Sequence, residues 1–288
     1  MLNDILYPFV TKKISINGNN LSFLDQGQGK AVVMLHGNPT WSFYYRNLVK
    51  QLQGSYRVIV PDHMGCGFSD KPQDYSYTLK THIDNLETLL AELSIKKFSL
   101  VVHDWGGAIG MGMAVRYPER VESIVILNTA AFRSQRIPLR ISICRIPLLG
   151  DLIVRGFNGF ARPALTMAVA HKMAPAVARG YLDPYNSWAH RIALLRFVQD
   201  IPLSPKDSSW QTLVEIENGL SQFQRTPMLI IWGGKDFCFN RHFYDEWLHR
   251  FPGAESHFLP EAGHYVLEDA FDTIAPLITT FFQKQSRK

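Results

Sequence analysis

The sequence predicts an α/β fold, a mostly parallel sheet with helices on both faces. Three observations carry that expectation. Short, nearly all-apolar runs alternate with segments of helical spacing. Those runs end in glycine, asparagine, histidine or aspartate, at the strand ends where such sheets bind ligands. One stretch of different composition, 130–213, interrupts an alternation that later resumes.

Taken in order, KKISIN and NLSFLDQ straddle a Gly-Asn-Asn turn at 18–20 and predict an opening hairpin. AVVMLHG (31–37) and RVIVPD (57–62) are apolar enough for strands buried on both faces. THIDNLETLLAEL (81–93) places Ile83, Leu86, Leu89, Leu90 and Leu93 at helical spacing. FSLVVHD (98–104) is a third buried strand, which runs into Gly106, Gly107 and a helix to about Tyr117. VESIVILN (121–128) follows as a strand. After the interruption come the strand PMLIIWGGKD (227–236), a helix over 242–251, the strand ESHFLP and a helix from Val266 to Phe282. The expected sheet has eight strands, and crossovers between parallel strands need the intervening helices. Residues 1–129 and 214–288 are assigned to this core. Residues 130–213, Pro-punctuated and Ala- and Met-rich, are assigned to an inserted helical cap over the strand ends.

The chain of 288 residues is 46% hydrophobic and 19% charged, which excludes a disordered or collagen-like protein. Cys66, Cys144 and Cys238 are too scattered for a disulfide framework or a redox motif, so a reducing, cytoplasmic setting is expected. MLNDILYPFVTKK carries its charges in the reverse order of a secretory leader, and no apolar run is long enough to span a membrane. The net charge of +5 is not spread evenly. Residues 130–180 hold Arg133, Arg136, Arg140, Arg145, Arg155, Arg162, Lys172 and Arg179 against one acid, Asp151, while the rest of the chain is slightly acidic. Without a groove or interleaved aromatics this pattern gives no reason to expect nucleic-acid binding. It makes the cap a candidate for docking on a lipid surface or on an acidic partner enzyme.

Polar residues at the strand ends are His36, Asn38, Asp62, His103, Asp104, Asn128 and Asp236, joined by His264 from the loop after the last strand. Val-His-Asp-Trp-Gly-Gly (102–107) runs a strand straight into a helix, the geometry of a nucleophile elbow with Asp104 at its apex. A carboxylate is ionised at neutral pH and needs no base for its first attack on carbon. A base is needed only for the water that cleaves the resulting ester. His264 has the chain position for that base, and Asp236 can orient its imidazole, in the α/β-hydrolase order of nucleophile, acid and histidine. The backbone N–H groups of Asn38 and Trp105 are candidates for an oxyanion hole. Their side chains offer an amide and an indole N–H to a leaving group. His36, Asp62 and His103 read as structural. The remaining histidines show no ligand spacing, no GxGxxG follows the first strand, and no metal or cofactor is expected.

With these residues in hand, the chain resembles the haloalkane dehalogenase family of α/β-hydrolases over essentially its full length. HGNPTW (36–41), PDHMGCGFSDKP (61–72), VHDWGG (102–107), GGKDFCF (233–239) and EAGHY (261–265) carry the resemblance. It implies Asp104 as nucleophile, His264 as base, Asp236 as its acid partner and Asn38 with Trp105 as halide-type donors. Some members place the acid after the sixth strand; here that strand ends in Leu-Asn-Thr-Ala, which leaves Asp236. The start of the insertion (NTAAF, IPLRI, CRIPLLG, RGFNGFA) resembles the β-lactone decarboxylases of long-chain olefin biosynthesis. The resemblance therefore implies decarboxylation of a lipophilic cis-β-lactone to an olefin and CO2, through a covalent aspartyl intermediate that His264 and Asp236 resolve with water. Hydrolytic dehalogenation of haloalkanes is the alternative. Epoxide hydrolysis stands behind it, needing cap tyrosines, for which Tyr181 and Tyr185 are the candidates. A non-catalytic binding protein of the same fold stands last, since such proteins usually lose a triad member. Half of the apolar cap residues Leu148, Leu149, Leu152, Phe157, Phe160, Leu165, Met167 and Met173 are expected to pack on the core and half to line a tunnel.

Overall fold

The computed structural model describes residues 5–286; residues 1–4, which begin the stretch read for a leader, lie outside the described residues, as do 287–288. Eight strands form one sheet: β1 (Lys12–Ile16), β2 (Asn19–Gln26), β3 (Ala31–Leu35), β4 (Arg57–Pro61), β5 (Phe98–His103), β6 (Val121–Leu127), β7 (Met228–Gly233) and β8 (Glu255–Leu259). Their order is β1-β2-β4-β3-β5-β6-β7-β8. β1 and β2 run antiparallel to their neighbours, and β4, β3 and β5 to β8 run parallel. The strands lie between two helix layers, so β3 and β5 are buried along their whole length, as their continuous apolar sequences require. The chain leaves β3 for β4 on one side and later returns to β5 on the other. That reversal opens a crevice at the C-terminal ends of β3 and β5. Register sets Leu35 beside Val102, which brings the loop after β3 against the residue that follows β5.

Local chemistry sets the element ends. The opening hairpin turns at Asn17–Gly18, with φ 49° and 80°, and not at 18–20. A two-residue turn that matches strand twist needs both central residues at positive φ, and Asn-Gly supplies them, leaving Asn19 and Asn20 to β2. The helix expected from 81 begins at Leu79, because the Thr78 side chain accepts the Thr81 N–H as its cap. A helix over Arg46–Leu52, preceded by a tight turn at Ser42–Tyr45, has no counterpart in the sequence reading; its apolar Leu48, Val49 and Leu52 are fully buried. The last helix is broken: Val266–Asp269 and Phe271–Ser286 are separate pieces.

Among the described residues, 130–213 contain helices and turns but no strand. The helices are Leu139–Cys144, a π-helical turn at Asp151–Gly156, Ala161–Met167, Pro175–Leu182 and Ile192–Gln199. A further helix, Trp210–Gly219, straddles residue 213 and packs on the core helix Trp105–Arg116, with Ile216 beside Gly112 and Gly219 beside Val115. The segment 175–182 is tied to the core through Tyr181, which donates to Glu268 Oε1 at 2.5 Å, and Glu268 also takes both Arg46 Nη atoms at 2.5 and 2.9 Å. No helix among the described residues is long and apolar enough to cross a membrane.

Candidate active site

β5 ends at His103 and the next helix begins at Trp105, so Asp104 alone must turn the chain. It does so at φ 52° and ψ −127°, a conformation that costs a non-glycine residue about 1–3 kcal/mol and recurs at functional sites. Neighbours hold it there. The Asp104 N–H donates to the Asn128 carbonyl at 3.1 Å, and the Thr129 hydroxyl donates to the Asp104 carbonyl. A Cβ at Gly37 would collide with the Asp104 carboxylate, and one at Gly106 with the Leu35 carbonyl. Both glycines are therefore the condition for bringing the loop after β3 against the elbow.

The structure brings Asp104, His264, Asp236, Asn38 and Trp105 together at this point. Asp104 Oδ1 accepts the Asn38 backbone N–H at 2.7 Å, and the Trp105 N–H also supports the carboxylate. Its other oxygen, Oδ2, lies 3.6 Å from His264 Nε2. His264 Nδ1 donates to Asp236 Oδ2 at 2.7 Å. Burial pushes the Asp104 pKa above the ordinary carboxylate value, although His264 and the two N–H donors oppose the shift. Burial works against a charged His264, yet the charge and hydrogen bond of Asp236, with the charge of Asp104, raise its pKa. The two oxygens of Asp104 thus have different surroundings, one set against N–H donors and the other facing the imidazole.

Asp236 is fully enclosed. Its Oδ1 accepts the N–H groups of Cys238 and Phe239 at 2.6 and 3.0 Å. Its Oδ2 accepts Asn128 Nδ2 at 3.0 Å as well as His264. Asn128 stands at the end of β6, where an acid could have stood, and holds β7 through both N–H and carbonyl of Gly233. His103 points away from the cavity. Its Nε2 donates to the His264 carbonyl at 2.9 Å, and its ring lies 4.5 Å from those of both Tyr44 and His264. Burial holds it neutral, by pushing its pKa well below the ordinary value. Asp62 accepts the N–H groups of Ser42 and Phe68 at 2.8 and 2.9 Å, and His36 receives the His63 N–H at 3.0 Å, so both serve the loops.

One contributor escapes sequence reading. The Asp269 carboxylate accepts the N–H groups of Gly263, Ala170 and His171 at 2.7, 2.8 and 3.0 Å. With the Tyr265 N–H on the Ala168 carbonyl at 2.7 Å, it pins the His264 loop to the cap. An Asp closing a short helix carries no signal of a contact a hundred residues away.

Asp104, Asn38, Trp105 and His264 share a cavity of about 420 Å³ between core and cap. Its remaining lining is mainly apolar and aromatic, including Phe132, Ile141, Phe160, Met167 and Phe237. Such a site accepts a lipophilic molecule and fixes it by a few polar groups at one end. Asn38 Nδ2 gives one hydrogen to the Leu194 carbonyl of the cap at 3.0 Å, while its Oδ1 is buried without a partner among the described residues. The amide is thereby oriented from the cap side and keeps its second hydrogen. Among the described residues no group of three or more His, Cys, Asp or Glu side chains could hold a metal ion.

The cap differs from expectation in three ways. Of the eight apolar residues divided between packing and lining, Phe160 and Met167 line the cavity and Leu165 and Met173 pack on the core. Leu148, Leu149, Leu152 and Phe157 do neither and are exposed to solvent. Tyr181 and Tyr185 do not line the cavity either, since Tyr181 donates to Glu268 and Tyr185 to the Thr40 carbonyl at 3.2 Å. Ring-opening acids from the cap are therefore missing from this site. Arg133, Arg145 and Arg155 are engaged with Glu217, Asp207 and Asp151, so the cap's free positive charge is smaller than its composition.

Residues 30–271 match the α/β-hydrolase fold family. The chain is 50% identical to a cis-3-alkyl-4-alkyloxetan-2-one decarboxylase of Shewanella oneidensis, over 96% of this chain and 90% of that protein. It is 42% identical to the enzyme of the same name in Xanthomonas campestris, over 96% and 97%. Haloalkane dehalogenase 2 of Mycobacterium tuberculosis is 28% identical over 96% of each chain. Among solved structures, an ancestral haloalkane dehalogenase superposes with a TM-score of 0.89 at 22% identity, covering 96% of this chain and all of that one.

Proposed function

The chain belongs to the α/β-hydrolase fold family, in the branch that holds cis-3-alkyl-4-alkyloxetan-2-one decarboxylases and haloalkane dehalogenases, and from that premise we propose that it decarboxylates lipophilic cis-β-lactones to olefins and CO2. Half of its residues are shared with a relative of that name across nearly the whole chain. The observation that carries the reading is the floor of the apolar cavity, where an elbow carboxylate has one oxygen against N–H donors and the other turned to the imidazole.

In the proposed reaction Asp104 Oδ2 forms a bond to the ring carbon that bears the ring oxygen, and that carbon–oxygen bond breaks. The ring oxygen keeps the electron pair and becomes part of a carboxylate, held by the Asn38 amide and Trp105 indole N–H groups. Asp104 Oδ1 becomes the ester carbonyl oxygen and stays on the N–H groups of Asn38 and Trp105. The carbon–carboxylate bond then breaks, and its pair becomes the new double bond. The ester carbon–oxygen bond returns its pair to Asp104, and CO2 leaves. All lactone atoms appear in olefin and CO2, so the stoichiometry has no place for water. The water-activating role foreseen for His264 therefore belongs to the hydrolytic branch. In decarboxylation His264, backed by Asp236, balances the charge that moves between Asp104 and the departing carboxylate.

Haloalkane hydrolysis remains the second reading, because the same donors and base would serve a halide and a water. The proposed setting is the cytoplasm, which suits three cysteines that form no disulfide. Offering a dialkyl β-lactone and a bromoalkane together, with gas chromatography of products, tests the assignment. Olefin and CO2 in equal amounts support it; alcohol and bromide without olefin would reverse the ranking.

A further inference from the structure

Eight of the large hydrophobic residues exposed among the described residues fall in the cap, and seven of them lie between 139 and 157. Leu148 is 84% exposed, Phe157 68% and Leu152 51%. They are not scattered. The chain reverses between Cys144 and Gly150, where the Gly150 N–H donates to the Ile146 carbonyl at 2.7 Å, and Leu148 forms the tip. Leu148 has φ 65°, a conformation that L side chains rarely adopt and that a glycine or asparagine would take more easily. A leucine held there in water serves neither the core nor the turn. Trp188, 47% exposed, adjoins the same surface beside Gly156 and Leu152, under Arg155 at 4.6 Å.

Within residues 130–180 the charge is almost entirely positive. The only acid between 130 and 180, Asp151, is paired with Arg155. Among the described residues Arg136, Arg140, Arg162 and Arg191 make no ion pair, and the Arg191 pKa is lowered first by burial and then by the nearby charges of Arg162 and Arg155. The same segment has an inner side: Ile141 and Cys144 line the cavity, and exposed Arg136 and Arg140 also line it, which puts them at its rim.

We infer that the cap tip, residues 139–157 with Trp188, docks the enzyme on an anionic phospholipid bilayer. A protruding apolar tip ringed by arginines matches an acyl–headgroup boundary, where leucine, phenylalanine and tryptophan enter and arginine meets phosphate. Docking would set the rim of the cavity against the phase in which a lipophilic substrate dissolves. The inference concerns the surface alone and does not depend on lactone chemistry.

Sedimentation with vesicles tests it. The full-length protein, without substrate, is mixed with vesicles of phosphatidylcholine and phosphatidylglycerol, or of phosphatidylcholine alone. Binding to the anionic vesicles is expected, weakened by salt and much weaker to vesicles of phosphatidylcholine alone. The triple change Leu148→Ser, Leu149→Ser and Phe157→Ser should weaken it by roughly tenfold or more, and Arg162→Gln with Arg191→Gln by a similar factor. Both variants should keep the wild-type circular-dichroism spectrum and urea-unfolding midpoint, which shows that they are folded. No vesicle binding, or equal binding by the triple variant, overturns the inference. So does a wild-type dimer that the triple variant splits without any vesicle binding, which would make the tip a contact between copies.

Discussion

Asn128 donates its side-chain amide to the same Asp236 oxygen that holds His264, at 3.0 Å against 2.7 Å for the imidazole. The carboxylate is thus fixed from β6 while it orients the His264 imidazole from the loop after β7. Replacing Asn128 by Ala removes one hydrogen bond to a charged group, which amounts to about 1.5–3 kcal/mol. Turnover is expected to fall by roughly ten- to a hundredfold. Asp236 then holds a more concentrated negative charge, so the acid limb of a bromoalkane pH profile should move to higher pH. A fall in rate with an unmoved limb would indicate only a general loss of packing.

The two proposed reactions should respond differently to pH. Hydrolysis of a bromoalkane needs neutral His264, and its rate should drop as pH falls through the His264 pKa, which lies above the ordinary value. Olefin formation needs only ionised Asp104, whose pKa burial raises above the ordinary carboxylate value against the opposing charge of His264. Rate profiles for both substrates should therefore show olefin formation persisting to lower pH than halide release.

Trp105→Phe keeps the aromatic contact with Phe197, 5.2 Å between ring centres, and removes only the indole N–H. If that donor meets the departing oxygen, kcat should fall by about 10²-fold with a smaller change in KM. Steady-state kinetics on the lactone read this directly.

Asp269→Ala leaves the N–H groups of Gly263, Ala170 and His171 without their acceptor in a part-buried setting. A stability loss of about 2–3 kcal/mol is expected in urea unfolding. Activity should fall further than stability explains, because the His264 loop and cap lose their tie. Asp269→Asn retains one acceptor oxygen and should recover part of both.

The strand and helix alternation was legible because buried parallel strands must be apolar runs and their connections must be helices. Asp104, Asp236 and His264 were legible because each closes a short, chemically unusual motif at a strand end. Asn128 stood in view at such an end, but an amide gives no sign of serving a carboxylate on the next strand. Asp269 and His103 act through backbone atoms of other segments, and a backbone partner leaves no trace in sequence. The cap was the least legible part. Apolar residues there face the cavity, the core or solvent according to a tip at Leu148, and Arg133 loses its apparent freedom to Glu217, far along the chain.

Olefin release from a dialkyl cis-β-lactone by the unaltered enzyme and by Asp104→Asn, measured side by side by gas chromatography, tests the central claim most directly. The unaltered enzyme should give olefin and CO2 in equal amounts, and Asp104→Asn, folded but with a neutral amide at the elbow, should lose at least about 10³-fold of that rate. Undiminished olefin formation by Asp104→Asn, or none from either protein, would contradict it.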